Sequence, residues 1–277
     1  MAIFELFRIS LTKRESIQLK LFSNENKQIS RQDFLNEVFS DRIIFFHQSN
    51  EFHFIRINNL NLKDKIIGKI GRPIVSEENL PPEQGFEEAE HTGWKASIIV
   101  IDPAPHEDGQ KISFQKLRDV GESFALIKSL VKKINEKKDS IYHIEIEPIF
   151  SSRTFWDFVE KNKGEITNIK FNFTTPNMFG SSDELSKELA ALRDNEKAQK
   201  VELTLKSDDG LETNTERLKQ AVEYAQKGTG EIRAISKNGK RYNSIETTAS
   251  ILINDDKKEG SLLNRVLNQI KTVLGYE

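Results

Sequence analysis

Apolar positions along this chain keep two different periods, and the change between them divides it into two halves. Over the first hundred residues they alternate, the period of a strand with two faces. Phe7, Ile9 and Leu11 fall on one side of "MAIFELFRISLTK", with Phe4 and Leu6 on the other. "SIQLKLF" (16–22) repeats the pattern, and "RQDFLNEVF" has the spacing of a short helix. "DRIIFFHQSNEFHFIRIN" (41–58) predicts a hairpin turning at Gln48 to Glu51, which would set His47 against His53. "KIIGKIG" and "ASIIVID" add two strands. Between them, "SEENLPPEQGFEEAEHTGW" (76–94) has two prolines, two glycines and many acids without apolar period, and is expected to be a long surface loop.

From Ser113 the spacing changes. Phe114, Leu117, Val120, Phe124, Ile127, Val131 and Ile134 step by three or four, which predicts one long helix over 113–138. Strands and helices then alternate: strand "YHIEIEPIF", helix "RTFWDFVEKN", strand "EITNIKFNF", helix 182–198, strand "KVELTLKS", helix 214–227 and strand "GEIRAIS". A tight turn leads to a strand in "SIETTASILIN", and a last helix spans 261–274. Ser181 with Glu184 and Thr213 with Glu216 have capping-box spacing, while Gly228 and Gly275 stand where helix ends favour a left-handed residue. The order predicts an α+β fold of mixed or antiparallel sheets with packed helices. Two domains are expected: a β-rich one over 1–139, holding the acidic loop 76–94 and the long helix 113–138, and an α/β one over 140–277 of alternating strands and helices.

Composition narrows the chemistry. Eighteen Phe among 277 residues argue for a packed core despite a charged fraction of 30%. The absence of cysteine excludes disulfides, thiolate zinc sites, iron–sulfur clusters and cysteine nucleophiles. The opening "MAIFELFRISLTKRE" lacks the basic-then-apolar order of a signal peptide, and no run of about eighteen uncharged apolar residues occurs, so a cytoplasmic protein is expected. The net charge of −2 is uneven: residues 1–73 carry 12 Lys/Arg against 8 Asp/Glu, and 74–109 carry 1 against 9. Local basic patches are therefore compatible with a nearly neutral whole.

Three stretches carry candidate chemistry. In "YHIEIEPIF" the strand period sets His143, Glu145 and Glu147 on one face, a geometry for holding a divalent metal or exchanging protons; the competing expectation is the solvated face of a strand. A metal-dependent nuclease would also need a Glu-x-Lys or Asp-x-Lys triplet closing a strand, and those at 25–27, 136–138 and 255–258 fall in expected loops or helix ends. No zinc-type histidine spacing, nucleophile elbow or phosphate loop is present, so neither metal nor cofactor is expected and the reading leans away from an enzyme. Asn238-Gly239 marks a hairpin turn with Lys237, Lys240 and Arg241 around it, and "KKINEKK" supplies Lys132, Lys133, Lys137 and Lys138; these are the candidate nucleic-acid contacts, against the alternative of charged, solubilising turns. The Phe155, Trp156, Phe158 and Val159 cluster and the apolar stripe of the last helix would serve a core or a dimer.

With "IEIEPIF" near its midpoint, "ITNIKFNF" after it, a β-rich first half and a helix-ended second half, the chain resembles the RexA-like phage-exclusion sensors. The resemblance implies a prokaryotic or phage-borne anti-phage protein that binds DNA or a phage protein–DNA complex and signals to a membrane effector or another defence subunit. Together with the basic hairpin tip and the absence of catalytic motifs, the leading expectation is a non-enzymatic, self-associating sensor or binding component. The resemblance brings no catalytic residues. The alternatives are a metal-dependent nuclease built on Glu145, Glu147 and His143, and a protein-interaction subunit of a larger defence assembly docking through the acidic loop.

Overall fold

The computed structural model describes residues 1–14, 29–57, 64–106, 110–137, 140–175, 184–253 and 261–276. Strand β1 (Ala2–Lys13) opens the fold, and helix α1 (Arg31–Val38) follows, its first turn capped by the Ser30 hydroxyl, which accepts from the Asp33 N–H at 3.0 Å. Strands β2 (Ile43–His47) and β3 (Asn50–Arg56) form the expected hairpin. Its turn residues Gln48 and Ser49 both have positive φ, the conformation that matches strand twist. His47 and His53 do not meet across it: His53 stands opposite Ile44, while His47 bonds Ser129 at 2.9 Å.

The acidic stretch is not a loop. Strands β4 (Ile66–Asn79) and β5 (Glu88–Asp102) stay paired from Ile66↔Ile101 to Asn79↔Glu88, so residues 72–95 form a two-stranded arm projecting from the sheet. Backbone pairing needs no apolar side chains, which is why hydrophobic period missed it. The expected 113–138 helix is also broken. Strand β6 (Gln110–Gln115) takes its first residues, a tight turn bridges Leu117 to Gly121, and α2 (Ser123–Asn135) begins only where the Glu122 carboxylate caps the Phe124 and Ala125 amides. Gly121, at φ +139, cannot continue a helix.

The remaining elements are β7 (Tyr142–Pro148), α3 (Ser152–Lys161), β8 (Ile166–Thr174), α4 (Glu184–Glu196), β9 (Lys200–Lys206), α5 (Glu216–Tyr224), β10 (Gly230–Ser236), β11 (Arg241–Asn243), β12 (Ser250–Ile253), α6 (Leu262–Asn268) and α7 (Ile270–Val273). Thr215 rather than Thr213 caps α5, its hydroxyl accepting from the Leu218 amide. "SIETTASILIN" splits into a 3-10 turn over Ser244–Thr247 and β12. The strand expected at 16–22 and Ser181 lie outside the described residues.

Among the described residues all strand pairings are antiparallel, giving a mixed α+β fold. The larger sheet runs β12-β1-β6-β5-β4-β3-β2, with β7 also on β1; the smaller runs β11-β10-β8-β9. One edge of β1 pairs with β6. Its other edge is shared, Ala2–Glu5 with β12 and Phe7–Lys13 with β7, so strands from both sides of residue 139 build one sheet. Helices α1 and α2 cover one face of this sheet around Phe7, Phe54, Phe114 and Ile127. Residues of α6 and α7 cover part of the other face around Phe4, Ile67, Ile98 and Val100. The smaller sheet has its own core, where α3, α4 and α5 pack on Ile169, Phe171, Phe173 and Ile232. Among the described residues no helix is long and apolar enough to cross a membrane.

Two anchors generate predictions. Gly228, φ +74, closes α5 where the smaller sheet meets β1, and an added Cβ would lie 2.5 Å from Arg8 Cβ and 3.1 Å from Ile149 Cγ1. Gly228→Ala is expected to destabilise by about 3 kcal/mol in urea unfolding, combining left-handed strain with overlap. Fully buried Asp102 accepts from Lys65 (3.0 Å), His106 (2.9 Å) and the Ala104 amide (3.1 Å), and the His106 ring packs against Tyr276 at 4.9 Å between centroids, tying the C-terminal segment to the sheet. Burial opposes its ionisation, but the bonds from Lys65 and the Ala104 amide, with the charge of Lys65, outweigh burial and hold the carboxyl below its ordinary value. Its contribution is therefore present above that value and is lost as pH falls through the lower, folded one. Asp102→Ala is expected to cost about 3 kcal/mol at pH 7 by urea unfolding, with the gap to the unaltered protein closing in strong acid.

Candidate functional site

Strand β7 keeps the predicted alternation, with Ile144 and Ile146 in the core of the larger sheet. Its polar side is only partly solvated, with His143 and Glu145 half-buried. Glu147 is only 4% exposed, because the smaller sheet and α2 close over the face that carries it. Lys128 of α2 lies 3.7 Å from Glu231 of β10, and Lys200 of β9 reaches Glu145 at 2.8 Å. The strand face expected to be wet is thus the junction between the two sheets.

A directional chain runs through this junction. Arg14 Nη2 lies 3.3 Å from His143 Nδ1, and a guanidinium only donates, so Nδ1 accepts. The ring proton then sits on Nε2, which donates to Glu145 at 3.0 Å. Burial opposes ionisation of Glu145, but the bonds from His143 and Lys200 outweigh it and hold the carboxyl below its ordinary value. Lys200 shows the reciprocal effect: desolvation disfavours its charge, yet Glu145 raises its affinity for the proton. Glu147 behaves in the opposite way. Burial first, and the charge of Glu231 second, push its carboxyl up to about 8 against the opposing pull of Lys128 and Lys200. Its Oε2 has no hydrogen-bond partner among the described residues. At neutral pH the junction therefore pairs an ionised Glu145 with a protonated Glu147.

Among the described residues no three His, Asp or Glu side chains converge closely enough to hold a metal ion. The nuclease-type triplets at 25–27 and 255–258, and Lys138 of 136–138, lie outside the described residues.

Beyond the junction, the outward face of the smaller sheet continues in rows set by strand register. Glu231, Asn172 and Glu202 form the row next to β7; Asn243, Arg233, Lys170 and Thr204 form the second; Arg241, Ile235, Asn168 and Lys206 form the third. Arg233, Lys170, Arg241 and Lys206 thus share one polar face drawn from four strands, with Glu202 paired to Lys170 at 2.8 Å and Glu231 to Lys128 at 3.7 Å and to Arg233 at 3.5 Å. Sequence reasoning found Arg241 but missed Arg233, Lys170 and Lys206, which lie on strands whose pairing is not written locally.

The other predicted cations separate. Lys237 is turned away from that face, its ammonium donating to the Asp209 carbonyl at 3.1 Å, and Asn238 bonds Glu165 at 3.2 Å. The turn itself is a three-residue loop, Lys237-Asn238-Gly239, closed by the Gly239 N–H bonding the Ser236 carbonyl and the Ser236 N–H bonding Lys240. Lys240 is exposed beside it. Lys132, Lys133 and Lys137 are exposed at the end of α2, where Lys133 pairs with Glu136 and Arg14 donates to the Asn135 and Lys137 carbonyls.

The raised Glu147 value has a testable sign. Between about 4.5 and 8 the folded protein holds a proton that the unfolded chain has lost, so stability falls as pH rises through that window. Glu147→Gln is expected to remove this slope and to be about 2–4 kcal/mol more stable than the unaltered protein at pH 8.5. Urea unfolding across pH 5–9 measures it, and parallel pH profiles for the two proteins would refute it.

A family model described as a domain of unknown function, DUF4747, matches residues 99–272. The span contains His143, Glu145, Glu147 and their lysine partners and the whole cationic face, and leaves out β1 and the acidic arm. No curated protein and no solved structure matches the chain. With well over half its length matched, the chain belongs to the DUF4747 family.

Proposed function

We propose that this protein is a non-enzymatic nucleic-acid-binding component that grips a phosphate backbone on the outward face of its smaller sheet. The observation carrying the reading is the convergence of Arg233, Lys170, Arg241 and Lys206 on one exposed polar face, with Asn168 and Asn172 between them as neutral hydrogen-bonding groups. Arginine guanidinium groups match phosphate oxygens bidentately, and cations spread over adjacent strands follow a backbone without reading bases. No acid stands in the two outer rows; Glu202 and Glu231 lie in the row next to β7, where Glu202 pairs with Lys170 and Glu231 with Lys128 and Arg233, so that Arg241 and Lys206 are the cations farthest from a carboxylate. The RexA-like resemblance supports the same class of ligand and, with it, an anti-phage role in which a further subunit or membrane effector receives the signal.

Fluorescence anisotropy with labelled single- and double-stranded DNA over a salt series tests the reading. Affinity is expected to fall log-linearly with salt, with a slope near −0.9 per phosphate neutralised on duplex DNA. Arg233→Ala and Arg241→Ala are each expected to reduce that slope by about one unit, whereas Lys237→Ala should leave it unchanged because its ammonium is turned toward Asp209. No binding at low salt, or binding indifferent to both arginines, would sink the proposal.

A further inference from the structure

A second uncovered surface lies on the larger sheet. Helices α6 and α7 cover Phe4, Ile67, Ile98 and Val100, and the same sheet face then continues along β2, β3, β4 and β5. Register sets its rows. Ile55 and Lys69 come first, then Ile44, His53, Gly71 and Ala96, then Phe46, Glu51, Pro73 and Trp94. The arm carries the last two, Val75 with Thr92 and Glu77 with Glu90. Phe46, Val75 and Trp94 are 65%, 63% and 56% exposed. Apolar side chains gathered on one sheet face in this way mark an interaction surface rather than scattered surface residues.

The face is also shaped and polarised. Where Gly71 stands opposite Ala96 it sinks into a hollow of about 350 Å³, bounded by Arg42, His53, Ile55, Lys69 and Trp94. Arg42 donates to His53 Nδ1 at 2.6 Å, and His53 Nε2 donates to Glu51 at 2.5 Å, so Glu51 is already engaged. Cations therefore occupy one end, aromatic rings the middle and the arm glutamates the other end.

We propose that this face is an isologous docking surface for a second copy of the chain. A two-fold axis through the row of Phe46 and Trp94 sets the two aromatic rows against each other. One row away on either side, the partner's Val75 faces the hollow at Gly71 and Ala96. Two rows away, Lys69 and Arg42 face the partner's Glu77 and Glu90. Rows on one face repeat every 6–7 Å or so, so apolar and charged contacts fall into step over about 27 Å. Self-complementarity of this kind is what a two-fold interface requires. It also disfavours nucleic acid here, because the arm glutamates repel phosphates. The inference stands independently of the proposed nucleic-acid face, which lies on the other sheet.

Sedimentation equilibrium of the full chain up to roughly 100 μM tests it. A dimer of the 31.9 kDa chain is expected, and Trp94→Glu or Val75→Glu should weaken association at least about tenfold with unchanged circular dichroism. Lys69→Glu should weaken it as well, and combining Lys69→Glu with Glu77→Lys and Glu90→Lys should restore it. A monomer at every concentration, a dimer that Trp94→Glu and Val75→Glu leave intact, or a charge exchange without recovery overturns the proposal. So does loss of DNA binding in Trp94→Glu with mass unchanged, which would assign the face to nucleic acid.

Discussion

Both backbone groups of Leu6 are bonded by segments from the far half of the chain, and the architecture depends on that residue. Its N–H donates to the Ala249 carbonyl at 2.9 Å, its carbonyl accepts from the Ile149 N–H at 3.0 Å, and the Ala249 N–H donates to Ile149 at 2.6 Å. Here β7 leaves the edge of β1 and β12 joins it, so everything between them is an insertion whose two ends meet at one point. Phe150 and Thr248 extend the contact by one more bridge. The smaller sheet, with its separate core, is therefore carried on a short two-stranded stalk.

A stalk alone would leave the inserted sheet free to swing, and the polar face of β7 supplies a second contact. Lys200 reaches back from β9 to Glu145, Lys128 reaches from α2 to Glu231, and Gly228 lets the turn before β10 lie directly on Arg8. Charge pairs in such a place contribute little net stability compared with apolar contacts, but they tolerate few alternative alignments. Glu147 is the exception within the group, kept protonated first by its burial and second by the like charge of Glu231 beside it. The junction thus joins the cationic face to the larger sheet through groups that respond to charge, and whatever neutralises that face acts next to them.

Much of this was legible locally. The alternation of β7 correctly put His143, Glu145 and Glu147 on one face, leaving Ile144 and Ile146 to the core, the hairpin turning at Gln48 to Glu51 was visible, and Gly228 and Gly275 do end helices in the left-handed conformation. The errors share one cause. The 3–4 spacing of Phe114, Leu117 and Val120 imitated a helix, yet residues 110–115 are claimed by β1 and β5, whose pairing outweighs local periodicity. The acidic arm had no apolar period to betray it, because each strand is held by the other's backbone rather than by a core.

The candidate sites follow the same division. That His143, Glu145 and Glu147 share a face was determined by the sequence, since side-chain direction in a strand depends only on residue parity. Whether that face meets water or another sheet was decided by the tertiary structure, as was the grouping of Arg233, Lys170, Arg241 and Lys206. The ionisation of a carboxylate and the making of a charged surface depend on which residues lie within a few ångströms, and those neighbours come from strands and helices distant in sequence, brought together by backbone pairing that leaves no local mark in the chain.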